Sequence, residues 1–149
     1  MEISYTPFKK EHTAPCSSIA ATAPDPWSEA DILSSIQAGH PGYGAIADGT
    51  PAGFCVFQLF QETAELSILA VSPAHRRSGI GESLLRHSFH QLIAVGATRC
   101  LLDVRVSNLA AIALYTKLGF RVLAYRPQLY SHPIEDGLTM ELLFVPNTT

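Results

Sequence analysis

The residues best suited to chemistry lie in Val71-Ser72-Pro73-Ala74-His75-Arg76-Arg77-Ser78-Gly79-Ile80-Gly81. A strand ends here, a short basic loop follows, and two glycines lead into a long helix. A helix start offers unpaired backbone N–H groups and the positive end of the helix dipole. Glycines at alternate positions let a phosphate approach the backbone, and Arg76 and Arg77 add charge. The combination suits a pyrophosphate. A tight strand-to-helix turn that needs glycine for its dihedrals explains the same glycines. The lysine of a Walker A loop is missing, and the spacing is not GxGxxG. Further along, Asn108 and Tyr115 are seven residues apart on one helix and share a face. Asn108 can equally cap that helix, and Tyr115 can equally be a half-buried core residue. Asp103, Arg105 and Ser107 alternate on one strand face, where Asp103 is a candidate base or the ion-pair partner of a neighbouring arginine.

These groups need elements to hold them. Thr13 to Pro26 combines a short helix with a loop. Ser28 can cap a helix with Asp31 in its first turn and Ile32, Leu33 and Ile36 as its apolar stripe, ending at Gly39 to Gly44. Tyr43 to Asp48 and Gly53 to Gln61 read as strands joined around Asp48-Gly49, and Glu65 to Val71 as a third. Gly79 to Val95 carries Ile80, Leu84, Leu85, Phe89, Leu92 and Ile93 at helical spacing and stops at Gly96. Cys100 to Val106 is a strand and Asn108 to Leu118 a helix stopped by Gly119. Phe120 to Tyr125 and Leu138 to Phe144 are closing strands. The order predicts an α/β (α+β) mixed sheet with helices on its faces, in one domain over residues 1–149.

Placed on these elements, the residues resemble a known family. Arg76-x-x-Gly79-x-Gly81 after a strand and before a leucine-rich helix is similar to the acetyl-coenzyme A motif of the GNAT acetyltransferases. Asp103 to Asn108 and Ala110 to Phe120 resemble that family's second signature. The pattern SNxxAIxLYxxLGF, with Pro26-Trp27-Ser28-Glu29, resembles its ribosomal-protein-alanine N-acetyltransferase (RimI-like) branch. The resemblance implies a mostly antiparallel central sheet splayed at the acetyl-CoA site, with helices on both faces. It implies that the backbone at Leu69, Ala70 and Val71 meets the acetyl and pantetheine. It implies that Arg76, Arg77, Ser78, Gly79, Ile80, Gly81 and Glu82 wrap the pyrophosphate, and that Asn108 contacts the cofactor. Tyr115 falls where the family has its general acid, and Asp103 where the branch has a glutamate general base, one methylene longer. A phenol of pKa about 10 suits a departing thiolate of pKa about 8.5–10. The implied acceptor is a protein N-terminal α-amine, the N-terminal alanine of a ribosomal protein; a lysine, a small amine, or a non-catalytic acetyl-CoA-binding module are the alternatives.

Charge and composition narrow the field. The chain has 149 residues, 47% of them hydrophobic, and a net charge of -3. From His75 to Arg126 eight bases face only Glu82 and Asp103, a net +6, whereas Met1 to Ala74 carries -6. This asymmetry points to an anionic ligand on one side and a cationic partner on the other, or to mutual pairing of the two surfaces. Glu62, Glu65, Glu135 and Asp136 are the acids that could meet a basic peptide. The segment Pro127 to Asp136 departs from the branch, which has a Tyr-Tyr-Pro stretch there. Three separated cysteines, no apolar run of membrane length and no secretory start make a reduced cytoplasmic protein the expectation. His87 and His90 lack a third ligand, so no metal is expected. Basic residues without interleaved aromatics argue against nucleic acid, and a monomer or weak homodimer is expected.

Overall fold

The computed structural model describes residues 2–144 of the chain. One seven-stranded sheet organises them, in the order β1-β2-β3-β4-β5-β7-β6. The strands are β1 (Ile3–Pro7), β2 (Gly42–Ala47), β3 (Thr50–Phe60), β4 (Thr63–Val71), β5 (Arg99–Arg105), β6 (Arg121–Ser131) and β7 (Ile134–Leu143). The helices are α1 (Thr13–Ala20), α2 (Glu29–Gln37), α3 (Ile80–Ala94) and α4 (Leu109–Leu118). Every neighbouring pair is antiparallel except β4 and β5. The expected mixed, mostly antiparallel sheet with helices on both faces is therefore present. No helix among the described residues is long and apolar enough to cross a membrane.

Local signals explain most of the elements. Ser28 caps α2: its Oγ accepts from Asp31 N at 3.1 Å, and Ser28 N donates to Asp31 Oδ2 at 2.8 Å. Asp48 and Gly49, both at positive φ, make the two-residue turn between β2 and β3. Two apolar layers lie on opposite faces of the sheet. Cys16, Ile19, Ala20 and Ile32 of α1 and α2 pack on Phe54, Val56, Ile68 and Ala70. Ile80, Leu84, Leu85, Phe89 and Leu92 of α3 and Tyr115 of α4 pack on Cys55, Phe57, Leu66, Leu102 and Met140. Cys55 and Cys100 are core residues, as their apolar strands imply, and burial pushes their thiols up to about 12.

Two expectations need correction. The sequence reading places no element before Thr13, but β1 pairs with β2 over its full five residues. Closing strands at Phe120 to Tyr125 and Leu138 to Phe144 are too short: β6 and β7 form one hairpin out to Ser131 and Ile134. The hairpin is irregular, its register slipping between Val122 and Ala124 and again between Arg126 and Tyr130, where Pro127 lies. Asp136 holds the second slip, accepting from Gln128 N at 2.8 Å and from the Tyr125 hydroxyl.

Gly53 keeps β3 close to β4, because a Cβ there would lie 2.9 Å from the Ala70 carbonyl oxygen. Gly53→Ala is expected to destabilise the fold by about 1–3 kcal/mol, read as a lower urea midpoint at unchanged m-value. An unchanged midpoint would show that β4 yields there freely.

Candidate active site

The sheet opens between its two parallel strands. β4 and β5 pair only at Thr63–Arg99, Ala64–Cys100 and Glu65–Leu101, although β4 runs on to Val71 and β5 to Arg105. A bulge marks the opening. Val56 pairs with Ile68 and Phe57 with Leu66, which leaves Ser67 as an extra residue on β4. Across it the faces exchange: Ala64 and Leu66 point to the α3–α4 layer, whereas Ile68 and Ala70 point to the α1–α2 layer. Backbone groups of β4 beyond the bulge thus have no β5 partner. A cavity of about 90 Å³ occupies the opening, with Ser67, Leu69, Asp103, Asn108, Tyr115 and Tyr130 among its lining residues.

Tyr115 enters this cavity from α4. It is 8% exposed and stacks obliquely on Phe120 at 5.6 Å. Its hydroxyl makes no hydrogen bond among the described residues, and burial raises its pKa. Asp103 enters from β5 on the opposite face and is exposed, its Oδ1 accepting from Thr139 Oγ1 at 2.7 Å. It forms no ion pair among the described residues. Tyr130, which the sequence reading did not single out for the site, faces the same cavity. Its pKa is pushed up to about 12 by burial, with the charges of Asp103 and Asp25 adding to the effect. Ser67 and Tyr130 carry no local motif; only a polar serine inside the apolar run Leu66 to Val71 hints at the bulge.

The strand-to-helix loop is built as its residues suggest, with exceptions. Arg77 and Gly79 both take positive φ, and nothing lies within 4 Å of where a Gly79 Cβ would stand. Ser78 is exposed, and its hydroxyl donates to the His75 carbonyl. The bond from Ser83 N to the Gly79 carbonyl opens α3, which leaves the N–H groups of residues 80–82 without helical partners next to the open space at Gly79. Arg76 turns away from them: Nη2 donates to Thr22 Oγ1 at 3.0 Å and Nε to Val71 O at 3.3 Å. Its role here is to brace the loop. The Ile80 side chain is 1% exposed, so only its backbone can meet a ligand. A Gly81 Cβ would meet Leu114 at 3.5 Å and Val71 at 3.6 Å, so this glycine faces protein. Glu82 is engaged by Lys117 at 2.8 Å and Arg86 at 3.1 Å, hydrogen bonds that hold its carboxyl below the usual range. Leu69 and Val71 lean on the α3–α4 layer, and Ala70 is buried in the other. Asn108 caps α4, its Oδ1 accepting from Ala111 N at 3.2 Å.

Part of the charge asymmetry is settled inside the molecule. Arg99 and Arg121 both bind Glu141 at 3.1 Å, and Arg105 binds Asp25 and Glu135. Arg86 and Lys117 pair with Glu82 inside the segment, so three of its eight bases pair with acids outside it, and Arg76, Arg77 and Arg126 form no ion pair among the described residues. Glu135 and Asp136, read as acids awaiting a peptide, are occupied by Arg105 and Ser107 N and by Tyr125 and Gln128 N.

Comparison with known proteins adds an independent line. Residues 9–120 match the acetyltransferase (GNAT) family. The chain is 37% identical over 112 residues to the ribosomal protein bS18-alanine N-acetyltransferase of Escherichia coli strain K12, covering 75% of this chain and 74% of that protein. The crystal structure of the ribosomal-protein-S18-alanine N-acetyltransferase from Escherichia coli superposes with a TM-score of 0.88 at 29% identity, over 99% of each chain. The structure of yncA from Salmonella typhimurium with its cofactor acetyl-CoA shares the fold, with a TM-score of 0.80 at 24% identity over 99% of this chain and 96% of that one.

The two glycines make opposite predictions. Gly79→Ala is expected to cost about 1–2 kcal/mol through its left-handed backbone. Gly81→Ala, in ordinary contact and helical, is expected to be neutral or to stabilise by up to about 1 kcal/mol. Urea midpoints of both variants check this. Equal losses would mean that Gly81 is as constrained as Gly79.

Proposed function

Since this chain belongs to the acetyltransferase (GNAT) family and is an acetyl-CoA-dependent N-acetyltransferase, we propose that its acceptor is a protein N-terminal α-amine, the N-terminal alanine of a ribosomal protein. The observation that carries this reading is the opening between β4 and β5, with Tyr115 on one side of the sheet and Asp103 on the other. The activity printed for the relatives, acetylation of ribosomal protein bS18 at alanine, supports the acceptor class.

The residues present fit acetyl-CoA. The backbone of Leu69 and Val71, on the β4 edge that has no β5 partner, would hold the pantetheine amides in place of a strand, with Ala70 between them paired to Phe54 of β3 and the Val71 carbonyl shared with Arg76 Nε. N–H groups from Arg77 to Glu82, without partners among the described residues, would hold the pyrophosphate with Arg77, and Asn108 Nδ2, likewise unpartnered among them, would meet the cofactor. When bound, acetyl-CoA supplies an activated acetyl group. Backbone N–H groups at the bulge are suited to stabilise negative charge on the thioester oxygen.

The acceptor amine must lose a proton before it attacks. Asp103 would take that proton, directly or through water, and Thr139 orients its carboxylate. An α-amine of pKa about 7.7–8.0 is roughly one-tenth neutral at pH 7, whereas a lysine amine is neutral to about 0.04%. The difference is about 3–3.5 kcal/mol, which makes a lone aspartate adequate for an α-amine. Tyr115 would donate to the departing thiolate. A pKa raised by burial keeps its proton on through the working pH range, so its ionisation sets no alkaline limit there. The same reading has the enzyme cytoplasmic, independent of metal, and a monomer or weak homodimer with one catalytic domain over 1–149.

A panel of alanine-starting peptides, lysine peptides with blocked N-termini, and polyamines tests the acceptor. Alanine-starting peptides are expected to be acetylated fastest; a lysine or polyamine preference overturns the α-amine reading. Tyr115→Phe is expected to lower kcat about 100-fold or more. Asp103→Asn is expected to lose most activity at low pH, where the amine is protonated, and to approach wild type as pH rises through about 8. A pH–rate profile unchanged in shape removes Asp103 as the base.

A further inference from the structure

Arg105 is 6% exposed, yet its guanidinium is tied to two segments far from it in sequence. Nε and Nη2 fork onto Asp25 of the α1–α2 loop, with Nη2 to Oδ1 at 2.9 Å and Nε to Oδ1 at 3.1 Å. Nη1 donates to Glu135 Oε1 at 3.2 Å and to the Pro133 carbonyl at 3.0 Å, and Nη2 to the His132 carbonyl at 3.2 Å. Its Cζ lies 4.3 Å from the centre of the Tyr130 ring, a cation–π distance. Glu135 in turn accepts from Ser107 N at 3.0 Å. With both ends of the fork engaged, Arg105 has no donor left over for an anionic ligand.

The placement of these partners gives the network its meaning. Ala23, Pro24 and Asp25 wall the cavity on one flank and Tyr130 walls it on the other, on the face of the sheet that carries Asp103. Among the described residues, Asp25 makes the only side-chain hydrogen bonds of residues 23–27. The loop is therefore joined to the β6–β7 hairpin through one guanidinium. We propose that Arg105 is a positioning residue for the acceptor. It latches the α1–α2 loop to the hairpin so that Tyr130 and the 23–25 backbone form a fixed entrance for the amine, while the acetyl-CoA side, built from β4 and the start of α3, is held independently. This rests on the reading that the amine enters from the Asp103 face.

Asp25→Ala opens the latch at its exposed end and leaves Arg105 its other partners. Steady-state kinetics with both substrates varied are run on whichever amine in the panel the wild type acetylates fastest, so a failed alanine reading leaves this test intact. Acceptor KM is expected to rise about tenfold, with acetyl-CoA KM within about twofold of wild type. Arg105→Lys is expected to move acceptor KM the same way, because one ammonium cannot fork to both carboxylates and two carbonyls. Asp25→Asn, which keeps the shape, is expected to fall between wild type and Asp25→Ala. Unchanged acceptor KM in Asp25→Ala overturns the proposal. So does an equal rise in both KM values, the mark of general loosening.

Discussion

Everything distinctive about this molecule follows from the early parting of two parallel strands. Three residue pairs join β4 to β5, and then the ladder stops. In a packed sheet, unpaired backbone groups are costly unless something else meets them. The Ser67 bulge makes the parting possible, because it turns β4 and exchanges which of its side chains face each layer. Apolar residues on both faces of β4 then anchor it from either side, and its edge beyond the bulge is left without a β5 partner. Tyr115 reaches this edge from above the sheet and Asp103 from below. In the proposed mechanism, a group held in the gap would be reached by the Tyr115 acid from one face and by the Asp103 base and the incoming amine from the other.

Electrostatics plays a more local part than the charge distribution along the chain suggests. Most cations of the 75–126 segment meet carboxylates within the molecule, at Glu82, Glu141, Asp25 and Glu135. What remains for a phosphate is chiefly backbone: the N–H groups opening α3, reached past Gly79 with Arg77 beside them. In the proposed function it is the helix terminus, more than a field of arginines, that would hold the anion.

The legible parts of the sequence were those with local causes. The periodicity of α3 and α4, the Ser28 cap, the Asp48-Gly49 turn and the glycine-rich loop all state their geometry within a few residues. The motif resemblance found Tyr115 and Asp103, which the structure brings to one cavity. Long-range features left no such mark. The β4 bulge is a one-residue slip that only pairing with β3 reveals. The full length of β6 and β7 also has no local mark: Pro127 falls inside the register slip between Arg126 and Tyr130, and Pro133 in the turn between the strands. The Arg105 latch joins residues 80 and 30 positions apart. Arg105 looked like one more cation in a basic stretch until its partners were in place.

Amide hydrogen exchange with and without acetyl-CoA tests most directly whether the parted strands hold the acetyl donor. The account predicts protection concentrated at 67–71 of β4 and at 77–82 where α3 begins, with little change along β1 and β2. Protection confined elsewhere, such as the groove between Phe89, Leu118 and Phe144, with the β4 edge unchanged, would contradict it.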